Sequence, residues 1–221
     1  MPRDKINAIV MTYNSMSTLD RCIMSLNGRA DRILVVDGRY QGFPGKYNSS
    51  KDGTIEWILD YQSKADSEVL LYVYPDDIEP VYEYEKRSLS MALVPIGEWI
   101  LFVDSDEEIT QWPGDPDFEL HGICYKIWGI SGKYGMYRRL PGLRFTENPH
   151  CGVVSDYGEV DFRNFPLLDI IDITHQPEAK ALKKPEHVEY LNWLWRNPVR
   201  GDRLNYDEFL TKIGWIPVQG R

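Results

Sequence analysis

The 221-residue chain carries 25 basic and 34 acidic residues, which give it a net charge of −9. This charge disfavours an overall electrostatic attraction to nucleic acid or to an anionic membrane, but it leaves room for a local basic patch. No run approaches the ~20 apolar residues of a membrane span, and the start lacks the apolar stretch of a signal peptide. With three cysteines that have no metal-binding spacing, these features predict a cytoplasmic location.

The chain opens with a strand, a helix and a second strand. Residues 6–11 and 32–36 are short apolar runs rich in β-branched side chains, which is typical of buried strands. Between them, one helical face is predicted by Leu19, Cys22, Ile23 and Leu26. This order implies parallel pairing of the two strands through a right-handed crossover.

The same alternation continues to residue 103. Residues 39–51 contain turn-forming residues and predict a loop, whereas residues 69–74 and 99–103 predict two further strands. Two more helices are predicted by Ile55, Ile58 and Leu59 and by Leu89, Ala92, Leu93 and Ile96. The alternation of strands and helices indicates an α/β sheet.

The second half has a different pattern. Residues 122–147 hold short β-like pieces separated by Gly and Pro, residues 167–175 predict a later strand, and residues 185–196 predict an aromatic-rich helix. We therefore expect a mixed, partly antiparallel continuation of the same domain.

Four acids lie within five residues where the apolar run 99–103 ends: Asp104, Asp106, Glu107 and Glu108. Like charges this close repel one another unless a cation neutralises them. Residues two apart on an extended segment point the same way, so Asp104 and Asp106 can face one ligand such as Mg²⁺ or Mn²⁺. The alternative is an acidic turn that caps a following helix.

Polar residues also follow the first two strands. Thr12, Tyr13 and Asn14 come after the first strand, and Asp37 ends the second. Ligands of open α/β sheets bind outside the carboxyl ends of the strands, so these residues and the acidic cluster are expected to converge on one crevice.

The segments INAIVMTYN, ILVVDG, DGT and KRSLSMALVPIGEWILFVDSDEE resemble, in this order, the motifs of the family 2 glycosyltransferases. The resemblance covers about residues 5–109. It implies the GT-A fold, a Rossmann-like single domain with a mostly parallel central sheet and a mixed C-terminal part. Residues 1–109 would be the nucleotide-sugar-binding half, and residues 110–221 the acceptor-binding half.

The resemblance also implies roles for individual residues. Tyr13 would lie against the nucleotide base beside Thr12 and Asn14, and Asp37 would accept a hydrogen bond from the base. Lys86 or Arg87 would approach the diphosphate. Asp104, with Ser105, would lie near the ribose and the metal, and Asp106 would bind the metal. The implied donor is a UDP- or GDP-sugar, and the implied cofactor is Mn²⁺ or Mg²⁺.

Two features depart from the family pattern in the first half. Asp37 is followed at once by Gly38, so the second acid of the usual motif is absent, and residues 39–51 form an insertion. The identity of the base therefore stays open.

Later residues match a subset of the family. Residues 137–150 are similar to an arginine-rich stretch that leads to a His-Glu pair, in which His150 matches and Cys151 replaces the Glu. His175 is similar to a late histidine that approaches the metal or the diphosphate, and Lys183 or Lys184 follows it. The alternative for both histidines is a satisfied polar residue at a strand end.

The implied activity is that of a hexosyltransferase acting on an acceptor hydroxyl. An inverting enzyme needs a general base, for which Glu147, Asp156 and Glu159 are candidates, and a retaining enzyme does not. The acceptor stays open among a protein, a glycan, a small molecule and modified DNA. A nucleic acid could bind through the basic residues Lys126, Lys133, Arg138, Arg139 and Arg144, whose alternative is a solvated sheet face. A nucleotidyltransferase and a non-catalytic nucleotide-sugar-binding module are the alternative functions.

Overall fold

A computed structural model describes residues 5–112, 124–129, 135–146, 153–156, 158–159, 167–176 and 185–197. Its first part alternates strands and helices, as the sequence predicts. The elements are β1 (Ile6–Thr12), α1 (Met16–Leu26), β2 (Arg32–Asp37), α2 (Thr54–Tyr61), β3 (Glu68–Val73), α3 (Glu83–Ala92) and β4 (Trp99–Asp104).

The later elements are mostly strands. They are β5 (Glu107–Gln111), β6 (Cys124–Gly129), β7 (Gly135–Arg138), β8 (Arg144–Phe145), β9 (Val153–Ser155), β10 (Gly158–Glu159), β11 (Leu167–His175) and the helix α4 (Pro185–Arg196). The predicted strand at 167–175 and the predicted helix at 185–196 are thus both present.

Among the described residues, the strands form a large sheet in the order β3-β2-β1-β4-β7-β6-β11-β5. The pairs β1–β2, β1–β4 and β2–β3 are parallel, whereas β4–β7, β6–β7 and β11–β5 are antiparallel. A smaller sheet has the order β10-β9-β8. The α/β class with a mostly parallel sheet and a mixed C-terminal part is therefore confirmed.

The central sheet carries a hydrophobic core on each face. All of β1 is buried, and its residues alternate between the two cores: Ile6, Ala8 and Val10 face one, and Ile9 and Met11 face the other. The predicted apolar face of α1 packs in the first core, and residues of α3 pack in the second. Burial on both sides explains the continuous apolar runs of these strands.

The end of the third helix differs from expectation. Ile96 does not belong to the third helix, which ends at Ala92, and its side chain is 68% exposed. Pro95 cannot continue a helix, which accounts for the early end. Trp112, by contrast, packs in the first core.

Within the described part of the chain, none of the helices has both the length and the apolar character that crossing a bilayer requires.

Candidate functional site at the carboxyl edge of the sheet

The ends of β1, β2 and β4 lie side by side. Thr12 pairs with Asp37 across β1 and β2, and Met11 pairs with Asp104 across β1 and β4. Neighbouring strands are about 4.8 Å apart, so these backbone positions form one continuous edge. The predicted convergence of the three strand ends is thus present in the structure.

The turn after β1 is held in an unusual conformation. Asn14 has a φ of +48°, which is uncommon for a residue with a side chain. Its amide donates to Ser50 Oγ at 2.7 Å, and its side-chain oxygen accepts from the Lys51 amide at 2.9 Å. The long loop between β2 and α2 (residues 38–53, the long loop) therefore fixes this turn. Thr12 Oγ1 is buried and has no hydrogen-bond partner within the described structure.

Tyr13 is a surface-facing aromatic residue rather than a core residue. Its hydroxyl donates to the Tyr47 carbonyl at 2.9 Å, and its ring lies edge-on to Phe43 at 5.6 Å. Burial raises the pKa of this hydroxyl. The contacts place Tyr13 against the long loop, so the loop and the β1 turn together border the sheet edge.

Asp37 is completely buried. Its Oδ2 accepts from the Ser50 amide at 2.8 Å, and its Oδ1 accepts from the Ser50 hydroxyl. Burial raises the pKa of Asp37 to about 6. Both oxygens thus serve the long loop, and binding of a base by Asp37 stays a prediction. Ser50 was not predicted from the sequence, because it lies within a run of small polar residues that carries no motif.

Lys86 is also completely buried. Its Nζ donates to the Gly38 carbonyl and lies 5.0 Å from the centre of the Tyr40 ring. Burial lowers the pKa of Lys86 to about 7, against the opposing effect of Asp37. Lys86 therefore supports the start of the long loop from below.

Arg87 contacts one of the predicted metal ligands. Its Nη2 donates to Asp104 Oδ1 at 2.9 Å, and Nε and Nη2 donate to Glu83 Oε1 at 3.1 and 3.0 Å. The side chain is 14% exposed, and that of Asp104 is 28% exposed. Two residues that the sequence assigns to the diphosphate and to the metal thus lie together.

The acidic turn after β4 leads into β5 rather than into a helix, so the helix-capping alternative is wrong. Ser105 Oγ donates to Ser15 Oγ at 2.9 Å, which ties the turn to the start of α1. Glu107 is buried, and its Oε2 accepts from the Asp104 amide at 2.8 Å. Burial, together with Asp104 and Asp106, raises the pKa of Glu107 to about 9. Glu107 therefore supports the turn from its buried side.

The donor set suits a cation that is shared with a ligand. Within the described ranges, no three His, Cys, Asp or Glu side chains are grouped so that they could hold a metal ion. Asp104 and Asp106 supply two carboxylates, and Mg²⁺ commonly takes one or two carboxylates together with substrate phosphates. The backbone of His175 pairs with Glu107, and the Gln176 amide donates to the Asp106 carbonyl at 2.9 Å. The end of β11 is thus beside the acidic turn.

The long loop is anchored by Asp76, which the sequence analysis did not single out. The carboxylate of Asp76 accepts from the amides of Asn48 and Ser49 at 2.7 and 2.9 Å and from Lys51 Nζ at 3.2 Å. These hydrogen bonds lower the pKa of Asp76 despite the opposing effect of its partial desolvation.

Helix α4 packs on the outer side of the long loop. The ring of Tyr190 lies 5.8 Å from Tyr40 and 5.3 Å from Phe43, and Trp193 contacts Gly42 so closely that a larger residue would collide with it. A cavity of about 420 Å³ lies beside this contact, lined by residues that include Glu189, Asn192, Trp193 and Arg196. The sequence predicted an aromatic-rich helix at residues 185–196, but it did not predict that this helix packs on the long loop.

The candidate catalytic residues of the second half are less defined. Asp156 follows β9, its side chain is 64% exposed, and it lies 4.0 Å from Arg144. Glu147, His150 and Lys183, with Cys151 and Lys184, lie outside the described residues. A role for Asp156 as a general base stays a prediction.

The basic stretch makes contacts within the protein. Arg138 lies over the Trp99 ring at 5.2 Å, Arg139 donates to the Leu140 carbonyl, and Arg144 donates to the Gly142 carbonyl at 2.7 Å. Lys126 belongs to β6, and Lys133 lies outside the described residues. These contacts give no support to a nucleic-acid acceptor.

No protein-family model matches the chain, and no curated protein matches it either. Solved structures of TarS from S. aureus are distantly similar. TarS 1–349 in complex with UDP is 21% identical, with a TM-score of 0.39 over 89% of this chain and 56% of TarS 1–349.

TarS 1–349 in complex with UDP-GlcNAc is 19% identical, with a TM-score of 0.38 over 61% of this chain and 45% of that one. A longer TarS structure is 22% identical, with a TM-score of 0.37 over 57% of this chain and 22% of that one. This chain therefore spans from about a fifth to about half of those structures.

Proposed function

We propose that this chain is a metal-dependent glycosyltransferase that moves a hexosyl group from a UDP- or GDP-sugar to an acceptor hydroxyl. The observation that carries the proposal is the meeting of Arg87 with Asp104 at a sheet edge that also holds the Tyr13 turn. Carboxylates for a divalent cation and a guanidinium for phosphate are the groups that a nucleoside diphosphate needs. The ordered motif resemblance over residues 5–109 supports the same activity.

The donor would lie along the ends of β1, β2 and β4. Tyr13 and the long loop would border the base, with Asp37 contributing to base recognition directly or through its hydrogen bonds to Ser50. Arg87 would bind the diphosphate. Lys86 is buried under Gly38, so we assign it to loop support rather than to direct phosphate contact.

Asp104 and Asp106 would hold Mn²⁺ or Mg²⁺, with His175 as a further candidate ligand at the neighbouring strand end. When bound, this ion supplies positive charge that stabilises the nucleoside diphosphate as it leaves. Arg87 adds a second positive group on the protein side. The two carboxylates alone are few for a protein-only site, which fits a cation that binds together with the nucleotide.

In the transfer, a bond forms between the acceptor oxygen and the anomeric carbon. The bond from that carbon to the diphosphate oxygen breaks, and its electron pair leaves with the nucleotide. An inverting reaction passes the acceptor proton to a carboxylate, for which Asp156 and Glu147 are our candidates. The acceptor would bind through residues 110–221, and a cytoplasmic location stays a prediction.

The test is incubation with UDP- and GDP-sugars in the presence of Mn²⁺, followed by analysis of the nucleotide products. A glycosyltransferase slowly releases nucleoside diphosphate and free sugar without an acceptor. In a parallel incubation with added pyrophosphate, a nucleotidyltransferase would instead transfer the nucleotidyl group to pyrophosphate and release UTP or GTP and sugar 1-phosphate. A binding module would leave the donor intact in both incubations. Asp106→Asn should abolish donor hydrolysis, whereas Asp60→Asn, an exposed carboxylate on α2, should not. Hydrolysis that survives Asp106→Asn contradicts the proposed site.

A further inference from the structure

Arg87 is held between two carboxylates. It donates two hydrogen bonds to Glu83 Oε1, one turn earlier on α3, and one to Asp104 Oδ1 at the end of β4. Its guanidinium also lies 5.7 Å from the centre of the Phe102 ring. A planar guanidinium bridges the two carboxylates with N–H groups in a fixed fork, whereas an ammonium group acts as a point charge without this directional match.

Glu83 is in turn contacted by the second half of the chain. Tyr190 of α4 is buried, and its hydroxyl donates to Glu83 Oε2 at 3.3 Å. Each oxygen of Glu83 thus has its own donor. The position of Glu83 is therefore fixed from both sides, and Arg87 has a firm anchor on α3.

A divalent cation on Asp104 conflicts with this arrangement. It would use the carboxylate that now accepts from Arg87, and it would repel the guanidinium. Like charges this close repel strongly at a partly buried site, where water screens them less than in bulk solution. The cation and Arg87 therefore compete for Asp104 unless Arg87 moves to another anion.

We propose that Arg87 is an internal counter-ion of Asp104 that exchanges places with the divalent cation during donor binding, and that Glu83 is the positioning residue that keeps Arg87 within reach of both Asp104 and the diphosphate. The proposal rests on the proposed function. Before the donor binds, Arg87 neutralises Asp104. As the donor binds, the cation takes Asp104 and Arg87 turns to the phosphate oxygens while it stays anchored on Glu83.

This exchange makes metal binding and nucleotide binding cooperative. A nucleoside diphosphate draws Arg87 away from Asp104 and so raises the affinity for the cation. By thermodynamic linkage, the cation raises the affinity for the nucleotide by the same factor. The cation alone should bind weakly, because it must displace Arg87 from Asp104. The nucleotide alone should bind weakly, because no cation neutralises its phosphates.

The experiment is isothermal titration calorimetry of the full chain with Mn²⁺ alone and with UDP and GDP, each alone and in saturating Mn²⁺, and the nucleotide that binds more tightly is carried into the variants. The variants are Arg87→Met, Arg87→Lys and, as a charge-matched control, Lys64→Met, whose lysine pairs with Asp60 on the surface of α2. Thermal melts confirm that each variant folds.

Arg87→Met should bind Mn²⁺ alone about fivefold or more tightly than the wild type, because the competing cation is gone. The same variant should bind that nucleotide in saturating Mn²⁺ about tenfold more weakly, because a phosphate contact is lost. Arg87→Lys should lie between the wild type and Arg87→Met in both measurements. Loss of folding cannot produce two shifts of opposite sign. Lys64→Met should show neither shift, because Lys64 pairs with Asp60 rather than with Asp104.

Mn²⁺ affinity that is unchanged or weaker in Arg87→Met overturns the exchange, as does an equal gain in Lys64→Met. A different result contradicts the proposed function itself: a wild-type chain that binds neither Mn²⁺ nor GDP or UDP under any of these conditions. The two failures are distinguishable, because the first requires a wild type that binds both ligands.

Discussion

Asp37 and Asp104 end the two strands that flank β1, yet their carboxylates have different surroundings. Asp37 is completely buried, and both oxygens accept from Ser50 of the long loop. Asp104 remains partly exposed, and Arg87 on α3 contacts one of its oxygens. The same residue type at the same sheet edge thus has a closed environment in one case and an accessible one in the other.

The difference teaches what converts a strand-end aspartate into part of a site. A loop that folds back over the strand end uses the carboxylate for its own support, as residues 38–53 do at Asp37. A helix that contacts the carboxylate through an arginine leaves it partly exposed, as α3 does at Asp104. Substitutions at the closed position should therefore change stability, and substitutions at the accessible position should change ligand binding.

The largest effect is expected at the accessible aspartates. Asp104→Asn and Asp106→Asn keep the side-chain size but remove a charge, so the proposed Mn²⁺-dependent UDP binding and donor hydrolysis should fall by about 100-fold or more. The free energy of unfolding should change by about 1 kcal/mol or less, because both positions are partly exposed. Calorimetry and urea unfolding measure the two quantities. A large loss of stability with intact binding would reverse the comparison between the two aspartates.

A large effect on stability is expected at Gly38, which follows the closed aspartate. Its φ is +141°, and a Cβ at this position would lie 2.5 Å from Tyr74 Cβ. Gly38→Ala should therefore lower the free energy of unfolding by about 3 kcal/mol or more. Gly97 is a matched control, since its φ is +92° but a Cβ would meet no atom within 4 Å. Gly97→Ala should cost about 1–2 kcal/mol. Equal costs in urea unfolding would argue against tight packing at Gly38.

An effect of intermediate size is expected from the pH dependence of Asp37. Its pKa is raised to about 6 in the folded protein by burial, against about 3.9 in the unfolded chain. The folded state therefore binds this proton more tightly, and the associated stability is lost as the pH rises from about 4 to about 6, by roughly 3 kcal/mol. Asp37→Asn removes this contribution, so its stability relative to the wild type should improve over that pH range.

Urea unfolding of both proteins at several pH values between about 4 and 6 measures this difference. A constant gap between the wild type and Asp37→Asn would mean that Asp37 titrates normally, and its burial by the long loop would then be incorrect.

The smallest effect is expected at Tyr13, which lies between the two aspartates on the β1 turn. Tyr13→Phe removes an exposed hydrogen bond to the Tyr47 carbonyl. The free energy of unfolding should therefore fall by only about 0.5–1 kcal/mol. Donor affinity should fall about two- to fivefold, because the long loop is less firmly held against the base. Tyr61→Phe on α2 is the control, and its donor affinity should equal that of the wild type. An equal loss of donor affinity in both variants would contradict a role for the long loop in donor binding.

Most of the α/β fold in the first half could be predicted from local pattern. The apolar runs of β1, β2, β3 and β4 and the helical spacing on α1 are short-range features, and each predicted element is present. The convergence of Thr12, Asp37 and Asp104 also followed, because parallel strands bring their carboxyl ends to one edge. Ile96 was assigned wrongly, because it matches the helical spacing although Pro95, which cannot continue a helix, precedes it.

What the sequence by itself determined is therefore the set of strands and helices, and the edge where polar side chains collect, since both depend on residues that are close together in the chain. What only the tertiary structure decided is the use of each polar group. Ser50 meets Asp37 from 13 residues away, and Tyr190 meets Glu83 from 107 residues away. The physical reason is that burial and hydrogen-bond partners depend on segments distant in sequence, which no local periodicity encodes.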